Sequence, residues 1–175
     1  DGGSGNDTIQ SAGGNSTVVS SSGNDTIDGG SGNDLIFGSS YGNDSITGGD
    51  GNDSIYGGSG NSSVAGSTGT DTLSGGAGND LIFGGSGADA SLDGGTGNDT
   101  IYSSGGDSSV PGGQGSNTLS GGDGNDLIFG GSYGNDSLSG GDGNDTIYGG
   151  SGNSTVVSTS GTETIDGGSG NDLIF

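Results

Sequence analysis

Histidine, cysteine, methionine, lysine and arginine are all missing from this 175-residue chain, and there is a single proline. Without them the sequence lacks the side chains that most enzymes use as general base, nucleophile or cation clamp, so an enzyme is not expected. The missing positive charge leaves a formal net charge of -22, which excludes nucleic acid as a partner and argues against anionic membrane surfaces, because every Coulomb interaction would be repulsive. The natural partners of such a chain are cations. There is no long apolar run and no charged leader, so neither a membrane span nor a signal peptide is visible.

What the chain does contain is a nonapeptide, Gly-Gly-x-Gly-Asn-Asp-x-aliphatic-x, seen cleanly at Gly29 to Phe37. Its aliphatic residue recurs 19 times between Ile9 and Ile174. The step is nine residues except at Ile46, Leu92 and Leu138, where it is ten, so five nonapeptides form a unit of 46 residues. Asn-Asp-Leu-Ile-Phe returns at Asn33, Asn79, Asn125 and Asn171, while Val18, Val64, Val110 and Val156 mark copies lacking Asp at its usual place. Such repetition implies a solenoid of stacked rungs. The whole chain, 1–175, reads as one continuous unit, and because it starts and stops inside the 46-residue repeat it is expected to be a window of a longer repetitive protein.

A chain with 49 Gly and 22% hydrophobic residues also resembles low-complexity sequence that cannot offset its own chain entropy. Disorder tolerates slippage, however, and the aliphatic marker is never lost. Disorder in the absence of metal is the form of this expectation that survives.

Each copy divides into a six-residue turn and a three-residue strand, as in Gly48 to Asp53 followed by Ser54-Ile55-Tyr56. Gly and Asn suit a turn with positive φ. Alternation along the strand turns Ile55 inward and Ser54 and Tyr56 outward. Two nonapeptides per coil would give two opposed parallel sheets, with residues 18 or 19 apart directly above one another. Asp7 then lies under Asp25, Asp34 under Asp53, Asp80 under Asp99 and Asp126 under Asp145. Carboxylates stacked at a rung spacing of about 4.8 Å repel unless a cation lies between them. Calcium suits such a place because it takes six to eight hard oxygen ligands with loose geometry, including backbone carbonyls exposed by glycine turns. Magnesium asks for a stricter octahedron, and zinc normally wants His or Cys.

The complete Gly-Gly-x-Gly-x-Asp hexad occurs nine times, starting at Gly2, Gly29, Gly48, Gly75, Gly84, Gly94, Gly121, Gly140 and Gly167. On these hexads the chain resembles the RTX (repeats-in-toxin) family of hemolysin-type calcium-binding proteins along its whole length. The resemblance implies a parallel β-roll, several calcium ions held between successive turns, secretion, and folding coupled to calcium outside the cell. By position it implies as ligands Asp7, Asp25, Asp34, Asp44, Asp53, Asp71, Asp80, Asp89, Asp99, Asp126, Asp136, Asp145 and Asp172. Ser16, Ser62, Ser108, Asn117, Ser154 and Glu163 stand where the family has Asp, which predicts gaps in the row. The ten-residue copies insert Tyr41, Ala90 and Tyr133 near the turn, which predicts bulges beside Asp44, Asp89 and Asp136.

On the outer faces, two nonapeptides per coil make Val19, Phe37 and Tyr56 neighbours on one side, with Pro111, Phe129 and Tyr148 repeating the pattern. Ala65, Phe83 and Tyr102, then Val157 and Phe175, line up on the other, and Leu35, Leu81, Leu127 and Leu173 also point outward. Regular outward apolar clusters suggest self-association, lateral or end to end; alternatively they shield a flat sheet by stacking along it. The leading functional expectation is a calcium-stabilised structural solenoid of a secreted or cell-surface fibre, filament or extracellular matrix. The alternative is a folding or stalk module of a secreted toxin, enzyme or adhesin. A third, ice binding, is opposed by the irregular third turn position, which varies among Ser4, Asp50, Thr68, Ala77 and Gln114.

Overall fold

A computed structural model describes residues 1–87 and 90–175. It is an all-β parallel solenoid of two sheets, with strands strictly alternating between them. The ten-stranded sheet runs from Thr8–Gln10 to Leu173–Ile174, and the nine-stranded sheet from Thr17–Val19 to Thr164–Asp166. Every nonapeptide contributes one strand, and each pairs with the strand two copies away. Ile9 therefore lies beside Ile27, Ile27 beside Ile46, and Ile36 beside Ile55. The offset is 18 residues, or 19 across a ten-residue copy, as two nonapeptides per coil require.

The core is a double row of aliphatic side chains, one from each sheet. From Val18 to Val156 every marker aliphatic is buried, most of them completely. Full burial of each Ile, Leu or Val contributes about 1.5–3 kcal/mol, and the uninterrupted register puts each one against aliphatic neighbours above and below. With so thin a core, the polar groups at the two edges of the roll carry an unusual share of the energetics.

Local structure departs from the simple division into turn and strand. Many strands run for six residues, as in Thr26–Ser31 and Ser45–Asp50, because the first three turn residues continue the ladder. Positive φ falls on glycines of the hexad, for example Gly30 at 90° and Gly32 at 118°, and outside glycine only on Ser67 and Ser104 among the described residues. At Gly32 a Cβ would meet the Gly14 carbonyl carbon at 2.6 Å, so close rung stacking as well as φ demands glycine there. The asparagines are not in the left-handed region, contrary to the expectation from turn chemistry. They form a ladder instead: the N–H of Asn33 donates to Asn15 Oδ1 at 2.9 Å, and that of Asn52 to Asn33 Oδ1 at 2.9 Å.

The extra residues make no bulge around the described ladder residues. Thr26 pairs with Ser45, and Thr118 with Ser137, in continuous register, so the insertion is absorbed in the turn, where Tyr41 and Tyr133 stand well exposed. Ala90 is buried and its carbonyl accepts from Ser109 N–H, the bond that Asp carbonyls make elsewhere. Ala90 thus holds the rung position expected of an Asp, while Asp89 lies outside the described residues.

Candidate metal centre

The residue before each strand is where the chain turns inward, and it is there that the aspartates collect. Two columns form, one along each edge of the roll. Asp25, Asp34, Asp44, Asp53, Asp71, Asp80, Asp99, Asp126, Asp136 and Asp145 are all at most 3% exposed. Asp7 and Asp172 occupy the same position and are half-buried. The columns are interrupted by Ser16, Ser62, Ala90, Ser108, Asn117, Ser154 and Glu163.

The two oxygens of each carboxylate have different surroundings. Beyond Asp7, which has no rung before it, one accepts a backbone N–H from the preceding rung: Asp34 N–H to Asp53 Oδ1, Asp53 N–H to Asp71 Oδ1 and Asp80 N–H to Asp99 Oδ1, each at 2.8 Å. The same bond reaches Asp44 and Asp136 after the ten-residue copies, from Asp25 and Asn117 at 2.9 and 2.8 Å. The other oxygen points inward. In Asp7, Asp34, Asp53, Asp71, Asp80, Asp99, Asp126, Asp136 and Asp145 this buried Oδ2 has no hydrogen-bonding partner from the chain. A buried polar atom without a partner costs about 1–3 kcal/mol, and more if it is charged. No Lys, Arg or His exists anywhere in the sequence to neutralise it.

Burial, opposed by the backbone hydrogen bond, pushes Asp71, Asp99 and Asp126 up to about 6. Asp53, Asp80, Asp136 and Asp145 are raised for the same first reason. Repulsion from the stacked neighbour adds to the shift at Asp53, from Asp34, and at Asp145, from Glu163. Each such group gains from a proton or from a cation.

What the inner oxygen faces is informative. A Cβ placed on Gly29 would lie 2.5 Å from the Gly48 carbonyl oxygen and 2.6 Å from Asp34 Oδ2. Gly94 repeats this with Gly112 O at 2.5 Å and Asp99 Oδ2 at 2.6 Å. The first glycine of the hexad thus leaves room where a carboxylate oxygen of its own copy converges with a carbonyl oxygen of the next rung. Among the described residues no three acidic side chains cluster closely enough to hold an ion by themselves. A ligand set must therefore combine one or two carboxylates with backbone carbonyls, which are the hard oxygens that calcium accepts and zinc does not favour. Sequence reasoning singled out these positions as candidate ligands but missed the different surroundings of Oδ1 and Oδ2, for which the sequence carries no signal.

The family model for the RTX calcium-binding nonapeptide repeat (4 copies) matches residues 1–36, 39–64, 65–90, 91–110, 111–132, 131–156 and 157–175. Comparison with curated proteins gives no match.

Proposed function

The chain belongs to the RTX calcium-binding nonapeptide repeat family, whose repeats bind several calcium ions along their length, and from that premise we propose that it is a structural β-roll of a secreted or cell-surface fibre or matrix, locked by calcium along both edges. The ions take the inner oxygens of Asp7, Asp34, Asp53, Asp71, Asp80, Asp99, Asp126, Asp136 and Asp145 together with hexad carbonyls of the neighbouring rung. The observation that carries this reading is the row of buried Oδ2 atoms without a donor, in a chain that has no cationic side chain. A bound divalent cation supplies the missing countercharge and cross-links successive rungs, so calcium binding and folding are one equilibrium. The role is mechanical: the repeat turns chelation into a stiff rod, with no catalytic step.

The fibre part of the proposal draws on the outer faces. Phe37 and Tyr56 stack at 5.1 Å and 8°, Phe83 and Tyr102 at 5.5 Å and 16°, and Phe129 and Tyr148 at 5.2 Å and 9°. Phe37 and Phe129 are five rungs apart on one sheet, a spacing of about 24 Å at roughly 4.8 Å per rung. Leu35 and Val19 flank the first pair. Apolar strips recurring at a constant interval can engage the same strips on another copy in register. A stalk role is favoured by the polar stretches between them, Ser74 with Asp93 on one sheet and Ser120 with Ser139 on the other.

Calcium titration followed by circular dichroism and light scattering, with magnesium as control, tests both parts. A cooperative gain of β structure specific to calcium, accompanied by scattering that Phe37→Ser with Tyr56→Ser abolishes, is the expected result. Scattering unchanged by that double substitution removes the fibre reading, and full β structure in excess chelator removes the calcium reading.

A further inference from the structure

Asp25 differs from the nine aspartates whose inner oxygen lacks a donor. Its Oδ2 accepts a hydrogen bond from Ser20 Oγ, and its Oδ1 accepts Asp7 N–H at 2.8 Å, so both carboxylate oxygens are satisfied within the chain. Ser20 stands at the first hexad position, where Gly29 and Gly94 stand in their own copies, and it is buried with Asp25. Its backbone follows the glycine pattern: Ser20 N–H donates to Phe37 O at 2.9 Å, as Gly38 N–H does to Tyr56 O at 2.7 Å.

We propose that Ser20 seals the Asp25 turn against calcium, replacing the ion by an internal hydrogen bond. The proposal rests on the calcium reading above. Two features act together. The hydroxyl proton occupies the oxygen that those nine aspartates leave without a donor. The serine Cβ fills the space that in glycine copies lies between carboxylate and next-rung carbonyl, as at Gly29.

Neighbouring substitutions follow the same chemistry. Where Asp is replaced, Ser11 and Ser16 hydroxyls meet at 2.7 Å, Ser103 and Ser108 at 2.5 Å, and Asn117 Nδ2 donates to Gly130 O at 3.2 Å. Asp44 is closed twice over, since both the backbone N–H and the hydroxyl of Ser39 donate to its Oδ2, at 2.6 and 2.9 Å, and no side-chain change removes the first of these bonds.

Native mass spectrometry resolves successive calcium adducts on a 16.2 kDa chain and gives the integer stoichiometry directly. Ser20→Gly removes both hydroxyl and Cβ and is expected to bind one more calcium per chain than the wild type. Ser20→Ala removes the hydroxyl but keeps the Cβ, and Ser39→Gly keeps the backbone donor; both are expected to leave the count unchanged. In chelator, Ser20→Gly and Ser20→Ala should each retain less β structure than the wild type. A Ser20→Gly chain with no additional ion, or a Ser20→Ala chain that keeps as much β structure in chelator as the wild type, overturns the proposal. Absence of calcium adducts on the wild type would instead overturn the calcium reading itself.

Discussion

Asp53→Asn should stabilise the roll without calcium and destabilise it with calcium, a change of sign that separates a metal ligand from an ordinary turn residue. Asp53 is 1% exposed and stacked between Asp34 and Asp71. The amide retains an acceptor for Asp34 N–H and replaces a buried, partnerless oxygen by an NH2 donor. Asn117 shows what that donor does, reaching the carbonyl of Gly130 on the next rung. Removing one unsatisfied buried group is worth about 1–3 kcal/mol, which for a chain of this length moves a melting transition by roughly 2–4 °C per kcal/mol. With calcium at about a thousand times its dissociation constant, one ion contributes about 4 kcal/mol to the wild type. Loss of that ion, offset by the 1–3 kcal/mol gain, leaves the variant about 1–3 kcal/mol below the wild type. The assay is thermal melting by circular dichroism in chelator and in calcium, with trimethylamine N-oxide in both to bring the metal-free roll into its folding range. A variant that is less stable in both conditions would refute the reasoning, because Asp53 would then act only through its own hydrogen bonds.

Acidity should stabilise the metal-free roll by neutralising the carboxylates that calcium neutralises, while competing with calcium for them. Asp71, Asp99 and Asp126 sit near 6 in the roll, above their ordinary value of 3.8, so between these limits the folded chain binds more protons than the unfolded one. Metal-free stability is therefore highest at the acid end and falls as pH rises from about 4 to about 6, while calcium affinity rises over the same window as protons leave the ligands. Circular dichroism in chelator across this range checks it, and a metal-free roll more stable at neutral pH than in mild acid would contradict it. Ile55→Ala, at a fully buried position between Ile36 and Leu73, should cost about 2–5 kcal/mol with or without calcium. A loss below 1 kcal/mol in a calcium melt would mean that the aliphatic row is not what holds the two sheets together.

Much of this architecture is a property of one dimension and was therefore legible in the sequence. A period of nine with one aliphatic per copy stacks like positions on like, because a parallel ladder repeats whatever the sequence repeats. Once two nonapeptides make a coil, it gives the offset of 18 or 19 and the pairing of Ile36 with Ile55 and of Phe37 with Tyr56. A period of nine is equally compatible with other numbers of copies per coil, and the stack chose two. The positions of the aspartates follow from the same rule. Their roles do not. The two oxygens of Asp53 are identical in the sequence, and only the rung below, which offers its N–H to Oδ1, leaves Oδ2 facing inward. Asn33 reads as a turn former, yet its side chain serves the next rung, since glycine already supplies the positive φ. Ser20 is one serine among many until the fold of its own turn brings its hydroxyl onto Asp25, and Ala90 counts as an insertion until its carbonyl takes the bond that an Asp carbonyl takes elsewhere. The repeat by itself determined that like positions stack on like, because a parallel ladder carries the period of its sequence; the number of nonapeptides in a coil, and which atoms are left in need of a cation, were decided only by the tertiary stack, because hydrogen bonds between rungs choose among oxygens that the sequence cannot tell apart.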